Sequence, residues 1–160
     1  MRKYCCLIIG LIALVCSCNG HINTNNSDAK KSDKQAIEKL IDRYVESINS
    51  CDTTIVSEIW SHQGDVSFIA PSGHYESYSE IRDSLITGLF GTVFMERNLQ
   101  KDRLKISING NSAWAEFYWS FNALKSDGVP HNTRGCETQI FEKDNKGDWR
   151  LVHIHYSSEK

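Results

Sequence analysis

The chain has no positive charge to spare: 18 Lys and Arg stand against 20 Asp and Glu, a net charge of −2 at neutral pH. A nucleic-acid surface wants a basic excess, so that class is excluded. No cluster of lysines and arginines is present that would hold an anionic lipid surface. Cys-x-x-Cys and the other Cys and His spacings of structural zinc sites are missing. So are Gly-x-Ser-x-Gly, the P-loop, the dinucleotide fingerprint and His-Glu-x-x-His. Their absence removes the easily marked hydrolases and nucleotide enzymes and leaves room for a weakly marked isomerase. The longest apolar stretch, Leu7 to Val15, is far short of the ~20 residues of a membrane-spanning helix.

What is there begins at the first residues. Arg2 and Lys3 precede the apolar stretch, which ends in Val15-Cys16-Ser17-Cys18. This resembles the signal peptide and lipobox of bacterial lipoproteins, in which cleavage falls before a lipidated cysteine. The resemblance implies that residues 1–17 are removed and that Cys18 becomes the lipid-carrying first residue. The protein would then be exported to the bacterial cell envelope and anchored to membrane by the lipid alone. An ordinary cleaved signal peptide with incidental cysteines is the alternative. Loss of Arg2 and Lys3 from the 18 basic residues leaves 16 against 20 acids, a net charge of −4. Cys5, Cys6 and Cys16 would leave with the signal. Cys51 and Cys136 remain, and an oxidising compartment would permit a disulfide that spacing alone cannot decide. Residues 19–32 are polar and read as a tether that cannot bury enough surface to fold.

Residues 33–158 read as one α+β domain, helices first and strands after. Ser32 and Gln35 have the spacing of a capping box, and Ile37, Leu40, Ile41, Tyr44, Val45 and Ile48 follow on one helical face. Asn49-Ser50-Cys51-Asp52 breaks that helix, and Asp52 caps a second one through Trp60. Val66 to Ile69 reads as a short strand stopped by Pro71-Ser72-Gly73. Ser79 caps a third helix with Ile81, Leu85, Ile86 and Leu89 inward, ending at Gly91. From Phe94 the period changes to two. Asn109-Gly110, Asp127 to Pro130 and Asn145 to Asp148 are the turns of an antiparallel meander, with strands at 112–124, 133–143 and 149–157.

Gly128-Val129-Pro130, then Glu137-Thr138-Gln139-Ile140-Phe141, then the run from Gly147 through Trp149, His153 and His155 to Ser157 resemble the end of a known domain. That domain is the association domain of calcium/calmodulin-dependent protein kinase II, together with its SnoaL-like relatives in the nuclear transport factor 2-like superfamily. Ile48-Asn49-Ser50-Cys51-Asp52 resembles the family's Asn-x-Gly-Asp bend. The resemblance implies a cone, with a curved antiparallel sheet wrapped around the N-terminal helices and a pocket between them. Members include isomerases, cyclases, dehydratases and domains that only bind or oligomerise, so fold does not decide function. The arginines with which the kinase hub binds carboxylates fall here on Trp119, Gln139 and Tyr156. None is basic, so carboxylate binding of that kind is not implied.

Alternation places Phe117, Trp119 and Phe121, then Glu137, Gln139 and Phe141, then Arg150, Val152, Ile154 and Tyr156 on the pocket face, closed by Tyr44 and Trp60. Most of these fill a core. Tyr44, Trp60, Trp119, Gln139 and Tyr156 are the expected ligand contacts, suited to a small neutral or aromatic molecule. Glu137 is the acidic residue of that face: either a general base with a raised pKa or the ion-pair partner of Arg150. If the domain is an enzyme, an isomerase or lyase, Glu137 or Asp65 is its base and Tyr156 or Tyr44 its acid. No cofactor or metal is called for. His153 and His155 share a strand face with Trp149 and Leu151, opposite Trp114, Glu116 and Tyr118. The resemblance accounts for the His pair. An aromatic outer face of this kind marks an interface, so Trp114, Tyr118, His153 and His155 are expected to join copies of the chain as a homodimer or larger ring.

Overall fold

The computed structural model describes residues 24–158. The expected signal peptide, Cys18 and residues 19–23 of the expected tether lie outside them. Helix α1 spans Thr24–Ser50 and buries Ile37, Ile41, Tyr44 and Ile48, with Leu40 and Val45 packed beside them. It overruns its expected start: Ser32 lies inside the helix rather than at its cap, and residues 24–32, read as unfolded tether, are helical. Residues 28–32 remain exposed. Extending a helix already nucleated on a buried face costs little per residue, which lets the polar turns form without a core of their own.

Cys51 ends α1 at φ +53°, a left-handed position that glycine usually takes. The Asp52 carboxylate then accepts from the Thr54 N–H at 2.8 Å and caps α2, Thr53–Ile59. Strand β1, Ser67–Ala70, turns into β2, Gly73–Tyr75, a strand the sequence pattern does not announce. The third helical region opens at Ser77 rather than Ser79: the Ser77 hydroxyl accepts from the Glu80 N–H at 3.2 Å. It runs as α3 (Tyr78–Glu80), a π-helix (Ile81–Phe90) and α4 (Gly91–Val93). Gly91 does not end it. That residue is right-handed at φ −74° and its N–H donates to the Ile86 carbonyl, one residue wider than an α-helical bond. Arg97 donates to the carbonyls of Phe90, Phe94 and Asn49, giving partners to backbone acceptors at the ends of two helical segments.

Strands β3 (Phe94–Asn109), β4 (Ser112–Lys125), β5 (Pro130–Lys143) and β6 (Trp149–Ser158) form the expected meander. The six-stranded sheet has the order β2-β1-β6-β5-β4-β3. One pair departs from the antiparallel expectation: β1 runs parallel to β6. Asn49 ties α1 to β3, its side chain donating to the Leu99 carbonyl at 3.0 Å and accepting from the Leu99 N–H at 2.6 Å. The core lies between α1 and the concave face of the sheet, around Phe117, Phe141, Leu151 and Ile154.

A β-bulge changes the face assignment on β6. Ile140 pairs with His153 and Phe141 with Leu151, so Val152 is the extra residue. One inserted residue reverses the parity of everything before it. Trp149 and Leu151, expected outside, are buried in the core, and Arg150 and Val152, expected in the pocket, point away from it. Beyond the bulge Ile154 and Tyr156 face inward as expected.

Candidate functional site

A cavity of about 280 Å³ opens between α1, the π-helix, the β1–β2 hairpin and the concave faces of β3 to β6. Its wall is mostly apolar: Ile48, Leu85, Leu99 and the rings of Phe68, Phe90, Phe94 and Phe121. Exposed Pro71 and Ser72 and half-buried Phe90 and His131 mark the mouth.

Glu137 is the carboxyl group of that wall, 4 % exposed. Tyr44 Oη donates to its Oε1 at 3.1 Å and Gln139 Nε2 to its Oε2 at 2.8 Å. Burial pushes Glu137 up to about 7, and the hydrogen bonds from Gln139 and Tyr44 restrain that rise. The Tyr44 phenol is itself raised well above its ordinary value, by burial and by the negative charge and hydrogen bond of Glu137. Trp119 and Tyr156 stack at 5.3 Å and 30° on the same wall. Gly135 makes the stack possible. A β-carbon there would lie 2.7 Å from the Ser157 carbonyl oxygen, 2.8 Å from Trp119 and 3.2 Å from Tyr156. Trp119 Nε1 and Gln139 Oε1 are buried without a hydrogen-bond partner among the described residues.

Tyr44, Trp119, Glu137 and Tyr156 therefore meet around one cavity, although they come from α1, β4, β5 and β6. Three other candidates do not. Trp60 is core, its ring 6.4 Å from Phe68 and its backbone bridged to Leu151. Gln139 is fully buried behind Glu137, off the wall. Asp65 is exposed in the loop before β1 and is not part of the cavity wall, and the Tyr44 hydroxyl bonds to Glu137 instead. Nor does Arg150 pair with Glu137. The bulge turns it outward, where it meets Asp144 at 3.1 Å, Asp148 at 3.8 Å and the Glu58 carbonyl. The sequence reading missed Thr133 and His131 on the wall. Extending the alternation backwards from Glu137 along β5 reaches both.

Trp114 and Tyr118 on β4 share the convex face with His153 and His155 on β6, β5 running between the two pairs, whereas Trp149 and Leu151 are buried on the other face. The Arg103 guanidinium covers the Tyr118 ring at 3.7 Å, and Lys105 Nζ lies 5.1 Å from the Trp114 ring centre. His153 Nδ1 is 2.7 Å from Ser67 Oγ. Its pKa is lowered by burial and by His155 and His74 nearby. Cys51 and Cys136 are not joined to one another. Among the described residues no helix is long and apolar enough to cross a membrane.

The SnoaL-like domain family matches residues 37–159 of this sequence. The chain belongs to that family. Among solved structures, a nuclear transport factor 2-like superfamily protein from Salmonella enterica is 35% identical, with a TM-score of 0.79 over 82% of this chain and 94% of its own. The hexachlorocyclohexane dehydrochlorinase LinA-type3 of Novosphingobium barchaimii shares the fold at 11% identity, with a TM-score of 0.72 over 82% and 89%. A candidate calcium/calmodulin-dependent protein kinase II association domain from Xanthomonas campestris does so at 13% identity, with a TM-score of 0.63 over 77% and 85%. No curated protein sequence matches. This SnoaL-like chain thus has the α+β cone and the superfamily its closing strands resemble. The likeness to the dehydrochlorinase and the association domain carries fold alone.

Proposed function

We propose that this SnoaL-like domain binds a small, flat, largely apolar molecule in its cone, one polar group of the ligand facing Glu137. The observation that carries the reading is an aromatic cavity with a single buried, hydrogen-bonded carboxyl in its wall. Binding sites commonly have this make-up, an apolar lining with a few placed polar groups. Trp119 and Tyr156 offer a stacking surface, and Tyr44 and Gln139 hold the carboxyl in place. We further propose an envelope lipoprotein anchored through Cys18, with residues 19–23 and the exposed start of α1 as the spacer. Copies would associate through the face of Trp114, Tyr118, His153 and His155.

A second reading is acid–base catalysis of the isomerase or lyase kind. It is favoured by Glu137 standing near 7, where a carboxyl can both take up and release a proton. Glu137 would be the base. Tyr44 already spends its proton on Glu137, so Tyr156 is the better acid.

Native mass spectrometry of the protein taken gently from its host's envelope is the test. A defined small-molecule adduct supports binding, and conversion of that molecule in a way abolished by Glu137→Gln supports catalysis. An empty assembly overturns both in favour of a pure oligomerisation hub.

A further inference from the structure

The wall of the cavity is unbalanced in charge. It carries the Glu137 carboxyl and, among the described residues, no lysine or arginine. Of the basic residues on or beside its strands, Arg134 is exposed, on the convex side of β5 by alternation, and three others are engaged elsewhere. Lys101 pairs with Asp42, Arg97 holds helix-end carbonyls, and Arg150 sits outside with Asp144. The two groups on Glu137 are donors, and each oxygen has taken one bond. The Gln139 amide shows Glu137 its NH₂ side while its own oxygen stays unpartnered. Such a network favours a carboxylate, an acceptor with lone pairs left over. Tyr44 bonds to Glu137, Tyr156 pairs with it from β6 and Trp119 stacks on Tyr156, and the faces of such rings attract cations.

From the Glu137 carboxyl, its two hydrogen-bond donors, the aromatic wall and the absence of a lysine or arginine from that wall among the described residues, we infer that the ligand is a small organic amine. It binds as the ammonium ion, with its charged head on Glu137 and its flat apolar body against the Trp119–Tyr156 stack. This rests on the proposed binding function and narrows it. An ammonium group supplies the missing positive charge and fills the free lone pairs of Glu137. An anionic ligand meets an unneutralised carboxylate. A ketone or other pure acceptor needs Glu137 protonated, the form that burial favours and the two donors oppose. Burial of an unneutralised Glu137 is costly in the empty cavity, and the raised position of its titration is the mark of that cost.

The test compares two probes of one shape on the whole chain, held in mild detergent with blank-micelle controls: naphthylmethylamine, a cation at neutral pH, and naphthylmethanol, its neutral counterpart. Calorimetry should give at least tenfold tighter binding of the amine, and the Glu137→Gln variant should bind both probes alike. Equal affinities on the unaltered protein would overturn the amine assignment and leave the binding function standing. Failure of both probes to bind, with no adduct on the native protein, would overturn the binding function itself. Because the comparison on the unaltered protein is decisive alone, a poorly folding variant does not spoil it.

Discussion

The Tyr44 hydroxyl donates to Glu137 Oε1 at 3.1 Å, joining α1 to β5 across 93 residues of sequence. This bond and the one from Gln139 fix the position of a carboxyl group that would otherwise be free to turn in an apolar cavity.

Ionising Glu137 should cost the fold stability. Its pKa rises from an ordinary 4.5 to about 7 on folding, so the folded state binds the proton more tightly. The stability this proton supplies is fully present below about 4.5 and lost as pH rises through 7, by about 3 kcal/mol in all. Glu137→Gln should flatten the decline. Urea unfolding at a series of pH values checks this, and a variant with the same slope as the parent between pH 5 and 7 counts against it.

Gly135→Ala should destabilise the domain by about 1–3 kcal/mol, the usual range for overpacking. The new methyl meets the Ser157 backbone as well as two rings, so no single rotamer change relieves it. The denaturation midpoint reads the loss. Quenching of Trp119 fluorescence by the probe ligand should fall with it, because the stack with Tyr156 opens.

Cys51→Gly should stabilise. The left-handed backbone costs a side-chain-bearing residue about 1–2 kcal/mol, and the half-buried thiol it gives up offsets part of that. A net gain of about 0.5–1 kcal/mol is expected in thermal unfolding. Cys51→Val, β-branched at the same φ, should move the other way.

Asn49→Ala removes both hydrogen bonds to Leu99 and leaves its N–H and C=O without that partner. The expected loss is about 2 kcal/mol, with faster amide exchange at Leu99.

His155→Glu tests the proposed interface without touching the core, since His155 is exposed. Light scattering should show the assembly reduced to monomers while circular dichroism stays unchanged. An unaltered mass would move the contact elsewhere.

Much of the fold was legible because its signals are local. The apolar face of α1, the Asp52 cap and the glycine turns at Gly110, Gly128 and Gly147 each occupy a few neighbouring residues. Ser77 and Glu80 also have capping-box spacing, and the true helix start was readable there once Ser79 was set aside. The bulge at Val152 was not legible. Nothing in its side chain marks an inserted residue, and one insertion sufficed to exchange Arg150 and Val152 with Trp149 and Leu151. Half the site was visible as strand alternation. Tyr44 was placed at the closure of the pocket, but its hydrogen bond to Glu137 was not legible, because that contact depends on where α1 crosses the sheet.

The long rim strand β3 has one further consequence. A strand at the end of a sheet offers bare amides and carbonyls to any passing chain, and such rims seed aggregation. Here the Asn49 amide plugs the rim at Leu99 by imitating the backbone of a seventh strand. A bulge between Lys101 and Arg103 and the charges of Glu96, Arg97, Lys101 and Asp102 roughen the remainder. The opposite rim, β2, has three residues and little to offer. Growth of the sheet from molecule to molecule is discouraged at both ends, which leaves its face rather than its rims for the proposed contact between copies.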